Sequence, residues 1–145
     1  MRIENKLNYK YRILILISLV AIVLARPLIA TNLEYNVERV EHNFNHPWSS
    51  ATLPNGDIVV TELIGKIKRI DIKTREVIDI NGIPNVLFRG QGGLSDIILH
   101  PEFEKNNIVL ISFSYGEKNK NTLKVISAEL IRNELINKKI IFEAT

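Results

Sequence analysis

The stretch Arg89-Gly90-Gln91-Gly92-Gly93-Leu94-Ser95-Asp96-Ile97-Ile98-Leu99-His100-Pro101-Glu102-Phe103 joins a glycine-dense turn to an apolar strand and then to a second turn containing proline. Outward from it in both directions the same grammar holds: short β-branched runs separated by Asn, Gly, Asp and Pro, with no long stretch of helical periodicity. That pattern predicts an all-β protein. Upstream, Ser49 to Leu53 runs into Pro54-Asn55-Gly56-Asp57, which offers Pro for the first corner of a turn and Gly where φ is positive. Ile58 to Glu62, Lys66 to Ile72 and Glu76 to Ile80 follow as strands, with Gly65 breaking the first from the second. After the loop Asn81 to Gly93 the order returns, as Leu94 to Leu99, a turn from His100 to Asn107, Ile108 to Tyr115, Thr122 to Glu129 and Lys139 to Glu143. Each unit holds four strands, and the second begins 45 residues after the first. This spacing suits blades of a β-propeller, with a β-sandwich as the rival arrangement.

The first thirty residues read as a secretory signal rather than as fold. Arg2, Lys6, Lys10 and Arg12 make a basic start, Ile13 to Ala25 is apolar but for Ser18, and Arg26-Pro27-Leu28-Ile29-Ala30 offers a cleavage point after Ala30. A run of thirteen residues falls short of the roughly 20 that a helix needs to cross a bilayer, which disfavours an uncleaved anchor. The expected organisation is therefore a signal peptide over residues 1–30 and a β-domain over residues 31–145, in a protein that is periplasmic or secreted and meets the membrane only through its export signal.

Separating the leader changes the charge reading. The whole chain has 19 Lys and Arg against 16 Asp and Glu, but residues 1–30 hold five of the basic residues and one acidic one. The remainder is close to neutral, so the basic balance gives no footprint for nucleic acid. The absence of cysteine excludes disulfides, thiolate metal sites and a cysteine nucleophile.

The ordered segments His46-Pro47-Trp48-Ser49, Leu53-Pro54-Asn55-Gly56, Val60-Thr61-Glu62, Gly90-Gln91-Gly92-Gly93-Leu94 and Leu99-His100-Pro101-Glu102-Phe103 resemble the N-terminal part of the soluble aldose sugar dehydrogenases that use pyrroloquinoline quinone (PQQ), the glucose/sorbosone dehydrogenase family. The resemblance runs from about Glu38 to the last residue. It implies a six-bladed propeller of which this chain supplies the first two blades, export to the periplasm, and PQQ and calcium as cofactors over one end of the central channel. It also implies a reaction in which an aldose loses hydride from its anomeric carbon to the quinone while a histidine takes the hydroxyl proton, giving a lactone. Removal of the O–H proton assists departure of the hydride, and the quinone carries the redox chemistry while the protein positions it.

Gln91 matches the glutamine that reaches the sugar in that family, and an amide suits the task because it donates and accepts together. The alternative is a solvated turn residue. Gly90, Gly92 and Gly93 would admit a close backbone approach to the quinone or positive φ, though a glycine-rich turn between blades would look the same. The catalytic histidine and the calcium ligands that the resemblance implies lie on segments beyond Thr145. Two positions depart from the family pattern: Leu63 stands where Arg is usual after Thr-Glu, which puts a charge contact there in doubt. Ser95 replaces a usual Leu, and its hydroxyl would cost stability unless hydrogen-bonded.

Other constellations are weaker. His46 and His100 precede proline and read as the openings of turns with extended backbone. His100 with Asp96 and Glu102 can be drawn as a metal site, the alternative being capping and turn hydrogen bonds. His42 reads as solvated, Trp48 and Phe103 as core anchors beside turns, and Lys66, Lys68 and Arg69 as the wet face of a strand. Gly-Gln-Gly-Gly lacks the Lys-Ser/Thr and the helix of a phosphate loop, and the serines lack a nucleophile-elbow context. Three functional readings follow: the front end of a periplasmic sugar dehydrogenase, a secreted propeller module that binds sugar or protein without turnover, or a gene remnant. Two blades would leave apolar faces uncovered, so the isolated mature fragment is expected to self-associate and to be inactive alone.

Overall fold

The structure is a computed structural model describing residues 9–24, 34–37, 39 and 43–144. The chain divides into two units, Met1–Glu38 and Arg39–Thr145. In the first, α1 (Tyr9–Leu24) occupies most of the apolar run of the leader. Among the described residues no helix is long and apolar enough to cross a membrane. The cleavage point after Ala30 and His42 lie outside the described residues.

The second unit is built from two four-stranded antiparallel sheets, each with its strands in chain order. The first contains β1 (Pro47–Thr52), β2 (Ile58–Glu62), β3 (Lys66–Ile70) and β4 (Val77–Ile80). The second contains β5 (Leu94–Leu99), β6 (Ile108–Glu117), β7 (Lys120–Ile131) and β8 (Glu134–Glu143), with a one-turn helix α2 (Phe103–Asn106) between β5 and β6. Sequential meanders of this kind are the form of a propeller blade, whereas a sandwich exchanges strands between sheets.

The local chemistry accounts for the turns. Leu53 N–H donates to Asp57 O at 2.7 Å and Gly56 N–H to Leu53 O at 2.8 Å, closing the Pro54–Asp57 turn with Gly56 at φ +91°. The turn between β3 and β4 is an Asx turn: Asp71 Oδ1 accepts from Lys73 N–H and Thr74 N–H, both at 2.8 Å. Those backbone donors, Thr74 first, hold the Asp71 carboxyl below the usual carboxylate range.

One apolar cluster joins the sheets. Leu53, Val59, Ile67 and Ile80 of the first sheet meet Leu94, Ile97, Val109, Ile111, Phe113, Ile126, Ala128, Leu130 and Leu135 of the second. Val59, Ile67, Leu94, Val109 and Ile111 are fully inaccessible, and each such side chain contributes roughly 1.5–3 kcal/mol by leaving water. Phe103 packs against the cluster, as expected of a core anchor. Trp48 does not: it is 57% exposed, in a stretch where the register of β1 on β2 shifts between Pro47 and Ser50.

Polar seams reinforce the cluster. Thr61, fully buried, donates to Ser95 O at 2.6 Å and accepts from Ser49 N–H at 3.1 Å. Ser49 Oγ donates to Asp96 Oδ1. Both contacts fall at bulges, one in β1 and one between Leu94 and Ile97 of β5, so two irregularities face each other across the interface. Ser95 sits in the second bulge, half-buried, and its hydroxyl is not a buried unpaired group.

Arg69 corrects the reading of its strand as a wet face. Lys66 is exposed and Lys68 pairs with Asp79 at 2.7 Å, but Arg69 has the opposite parity and shares the face of Ile67. Its Nε donates to Asp57 Oδ2 at 2.8 Å and its Nη2 lies 2.6 Å from the same oxygen. Its Nη1 reaches Arg132 O at 3.1 Å in the second sheet. Asp57, 4% exposed, also accepts from Asn55 Nδ2 at 2.9 Å and Ile72 N–H at 3.3 Å. Burial pushes the Asp57 carboxyl up, but the Arg69 and Asn55 hydrogen bonds, the Ile72 amide and the Arg69 charge together hold it below the usual carboxylate range.

Candidate functional site

Gln91 stands at the tip of a two-residue turn. Arg89 N–H donates to Gly92 O at 3.1 Å and Gly92 N–H to Arg89 O at 2.9 Å, so Gly90 and Gln91 are the central pair. Gly90 takes φ +58° and Gln91 does not enter the left-handed region, the dihedral pattern of a turn with glycine in its first central place. The amide is thereby held out from the chain and exposed.

The three glycines divide their work. A Cβ on Gly90 would meet nothing within 4 Å, so only its φ calls for glycine. A Cβ on Gly93 would lie 2.3 Å from Leu63 O, and one on Gly92 would lie 2.8 Å from Ser114 Oγ. Gly93 is squeezed between the sheets: Leu94 N–H donates to Leu63 O at 3.0 Å, and Ser114 N–H donates to Gly93 O at 2.9 Å. The close approach is thus to backbone at Gly93 and to the Ser114 hydroxyl at Gly92, pinning the base of the turn while its tip stays free.

Several groups gather at this end of the sheets. Leu63, where a charged contact was in doubt, is 8% exposed and part of the buried apolar set. Its N–H donates to His46 O at 2.9 Å. His46 takes φ +56° rather than the extended backbone expected before proline. The reason lies in its contacts: its carbonyl is tied to Leu63, its Nδ1 lies 2.6 Å from Asn45 Oδ1, and its ring packs on Phe88 with centroids 5.3 Å apart. Beside the Gln91 turn is a cleft of about 310 Å³, lined by Leu87, Arg89, Gly90, Gly92, Ser114 and Asn121. That volume is at the lower end for small-molecule sites.

Glu62 is a feature that the sequence reading missed. It ends β2, is 1% exposed, and accepts from Asn45 N–H through Oε1 at 2.6 Å. Its Oε2 is the one buried side-chain polar atom without a hydrogen-bond partner among the described residues. The period-2 pattern of Ile58 to Glu62 gives a strand end no mark of such burial.

His100 takes the capping role. Its Nδ1 accepts from Glu102 N–H at 3.1 Å and from Asn106 Nδ2 at 2.9 Å, which fastens the loop that carries α2. Asp96 is engaged elsewhere, with Ser49. Among the described residues no group of three or more His, Cys, Asp or Glu converges to hold a metal ion.

PQQ bears three carboxylates and calls for cationic partners. Arg89, the cation beside the Gln91 turn, already donates through Nη1 to Lys118 O at 2.6 Å. The donor set at the turn, a neutral amide with one guanidinium beside it that keeps further N–H groups, suits hydroxyl groups. A single cation does not by itself suit a tricarboxylate, and among the described residues no carboxylate cluster gathers for a divalent cation, so no step is assigned to either group here.

The model of the Glucose / Sorbosone dehydrogenase family matches residues 44–145. An uncharacterized protein of Synechocystis sp. is 37% identical over 106 residues, covering 68% of this chain and 26% of that protein. Aldose sugar dehydrogenase YliI of Escherichia coli is 32% identical over 94 residues, covering 64% of this chain and 25% of the enzyme. The structure of the PQQ-bound form of aldose sugar dehydrogenase from Streptomyces coelicolor superposes with a TM-score of 0.63 at 25% identity, over 76% of this chain and 34% of that one. The chain spans about a quarter of the length of the relatives it matches by sequence.

Proposed function

The chain belongs to the glucose/sorbosone dehydrogenase family, and from this we propose that its two sheets are the first two blades of a PQQ-dependent oxidoreductase that converts aldose sugars to lactones. The observation that carries the proposal is the exposed Gln91 amide on a hairpin whose base is pinned between the sheets. In this reading Gln91 holds a sugar hydroxyl, donating through its Nε2 and accepting through its Oε1. A two-residue turn fixes the backbone that carries Gln91, so ordering is needed only in its side chain when the sugar binds. When bound, the quinone would supply the hydride acceptor; calcium, the proton-accepting histidine and the contacts to the quinone carboxylates are assigned to segments outside residues 1–145. Residues 1–30 are proposed as an export signal cleaved after Ala30, and residues 31–145 as part of a periplasmic or secreted propeller.

Two outcomes test this division of labour. A polypeptide of residues 1–145, mixed with PQQ, Ca²⁺, glucose and an artificial electron acceptor, is expected to show no turnover above a heat-treated control. Turnover above that control would place the base and the cofactor contacts within these residues. The second concerns association. Ile98, Ile140, Ile141 and Phe142 are each more than half exposed, the last three consecutively on β8 at the margin of its sheet. Such a margin offers both apolar surface and unpaired backbone groups to another chain. Sedimentation of residues 31–145 should give oligomers or aggregates, and a soluble monomer with a cooperative thermal transition would contradict the proposal.

A further inference from the structure

Glu62 is costly where it stands. Among the described residues, this carboxylate, 1% exposed, has one backbone donor on Oε1 and none on Oε2, so there it gives up its hydration for a single hydrogen bond. Its partner, the Asn45 N–H, begins a sequence of contacts that ends at the candidate sugar-facing turn. Asn45 Oδ1 lies 2.6 Å from His46 Nδ1, the His46 ring packs on Phe88 at 5.3 Å, and Phe88 immediately precedes the Arg89–Gly92 bridge that presents Gln91. A second path runs through the backbone: His46 O accepts from Leu63 N–H at 2.9 Å, and Leu63 O accepts from Leu94 N–H at 3.0 Å, just after Gly93.

We propose that Glu62 is a positioning residue for Gln91: its buried carboxylate fixes the Asn45–His46 lead-in, and His46 in turn sets Phe88 and the Gln91 hairpin. The left-handed backbone of His46 supports this. That conformation is unfavourable for a residue with a Cβ, and the Glu62, Leu63 and Phe88 contacts surround the segment that adopts it. The functional meaning rests on Gln91 as the sugar contact, whereas the test below reads the hairpin without any sugar and so fails or succeeds independently of that assignment.

Peptide-resolved hydrogen exchange on the 145-residue chain separates the outcomes. Glu62→Ala is expected to raise exchange about tenfold in segments covering 43–47 and 86–93, and to leave 108–131 within about twofold of the parent, a margin set by the local opening such exchange reports. Glu62→Gln keeps an acceptor for Asn45 N–H and should restore both segments to near the parent rates. Phe88→Ala cuts the ring contact beyond Glu62, so it should loosen 86–93 while 43–47 stays protected. It also keeps the proposal testable if Glu62→Ala does not fold. Unchanged exchange at 86–93 in Phe88→Ala, equal loosening of every strand in Glu62→Ala, or no rescue by Glu62→Gln would each overturn it.

Discussion

Gly93→Ala is expected to cost about 3 kcal/mol of folding stability, from overpacking and one lost hydrogen bond. The added Cβ would sit 2.3 Å from Leu63 O and 2.9 Å from Leu63 C, against backbone that cannot rotate aside. Overpacking costs about 1–3 kcal/mol, and relieving it means parting β2 from β5. That would break the bond from Leu94 N–H to Leu63 O, which contributes about 1 kcal/mol. A loss of this size is a large part of the roughly 5–15 kcal/mol that holds an ordinary domain. Gly90→Ala is the comparison: its Cβ meets nothing, leaving only the left-handed backbone at about 1–2 kcal/mol. Urea unfolding followed by far-ultraviolet circular dichroism, on a full-length aldose sugar dehydrogenase carrying residues 44–145 in place of its own matching segment, should rank Gly93→Ala below Gly90→Ala. Equal midpoints would mean that the sheets are not pinned at Gly93.

Asp57→Ala should cost about 3 kcal/mol, the low end for breaking a buried pair, because the Arg69 side chain keeps 23% of its exposure. The change also strands the Asn55 Nδ2 and Ile72 N–H donors, and it frees Arg69 from the geometry in which it grips Arg132 O. The sign of the pH dependence follows from the lowered Asp57 carboxyl. A group whose folded pKa is depressed contributes stability above its unfolded value of about 3.9, and that contribution is lost as pH falls through the lower folded value. The parent should therefore lose stability on acidification below about pH 4, and Asp57→Ala should lose less over the same range. Matching slopes in the two proteins would assign the acid sensitivity to other carboxyls, Asp71 among them.

The strands were legible where β-branched residues are dense. Ile58–Glu62 and Leu94–Leu99 fall where the apolar alternation and the bounding Gly and Pro residues place them. The last two strands of the second sheet run longer than their apolar content suggests: β7 starts at Lys120 and β8 at Glu134. These polar residues join the ladder because their backbones have a partner in register, Lys120 facing Glu117 and Glu134 facing Ile131, and a solvated face asks nothing of their side chains. The bulges in β1 and β5 left no sequence mark. They are set by contacts between sheets, and with them went the exposure of Trp48 and the pairing of Ser49 with Asp96.

At the candidate site the turn was legible: Gly90-Gln91-Gly92 reads as a turn with a solvated middle residue, and Gln91 lies exposed on one. Its sugar contact is an inference from the family resemblance. Glu62, Asp57 and Arg69 were invisible as functional or structural groups, because their partners lie 12 to 63 residues away and no local pattern records such pairings. The left-handed backbone of His46 runs against the bias that the following proline imposes, and it too depends on tertiary contacts.

The central claim is that this part of the molecule presents Gln91 to an aldose. The most direct test grafts residues 44–145 in place of the matching segment of the Escherichia coli aldose sugar dehydrogenase, then compares the chimera with its Gln91→Ala variant. In a soluble chimera that binds PQQ, the account predicts aldose oxidation and, on loss of Gln91, a fall in kcat/KM of about tenfold or more, the scale of one lost hydrogen bond to a sugar hydroxyl. An active chimera whose kcat/KM is unchanged by Gln91→Ala would contradict it.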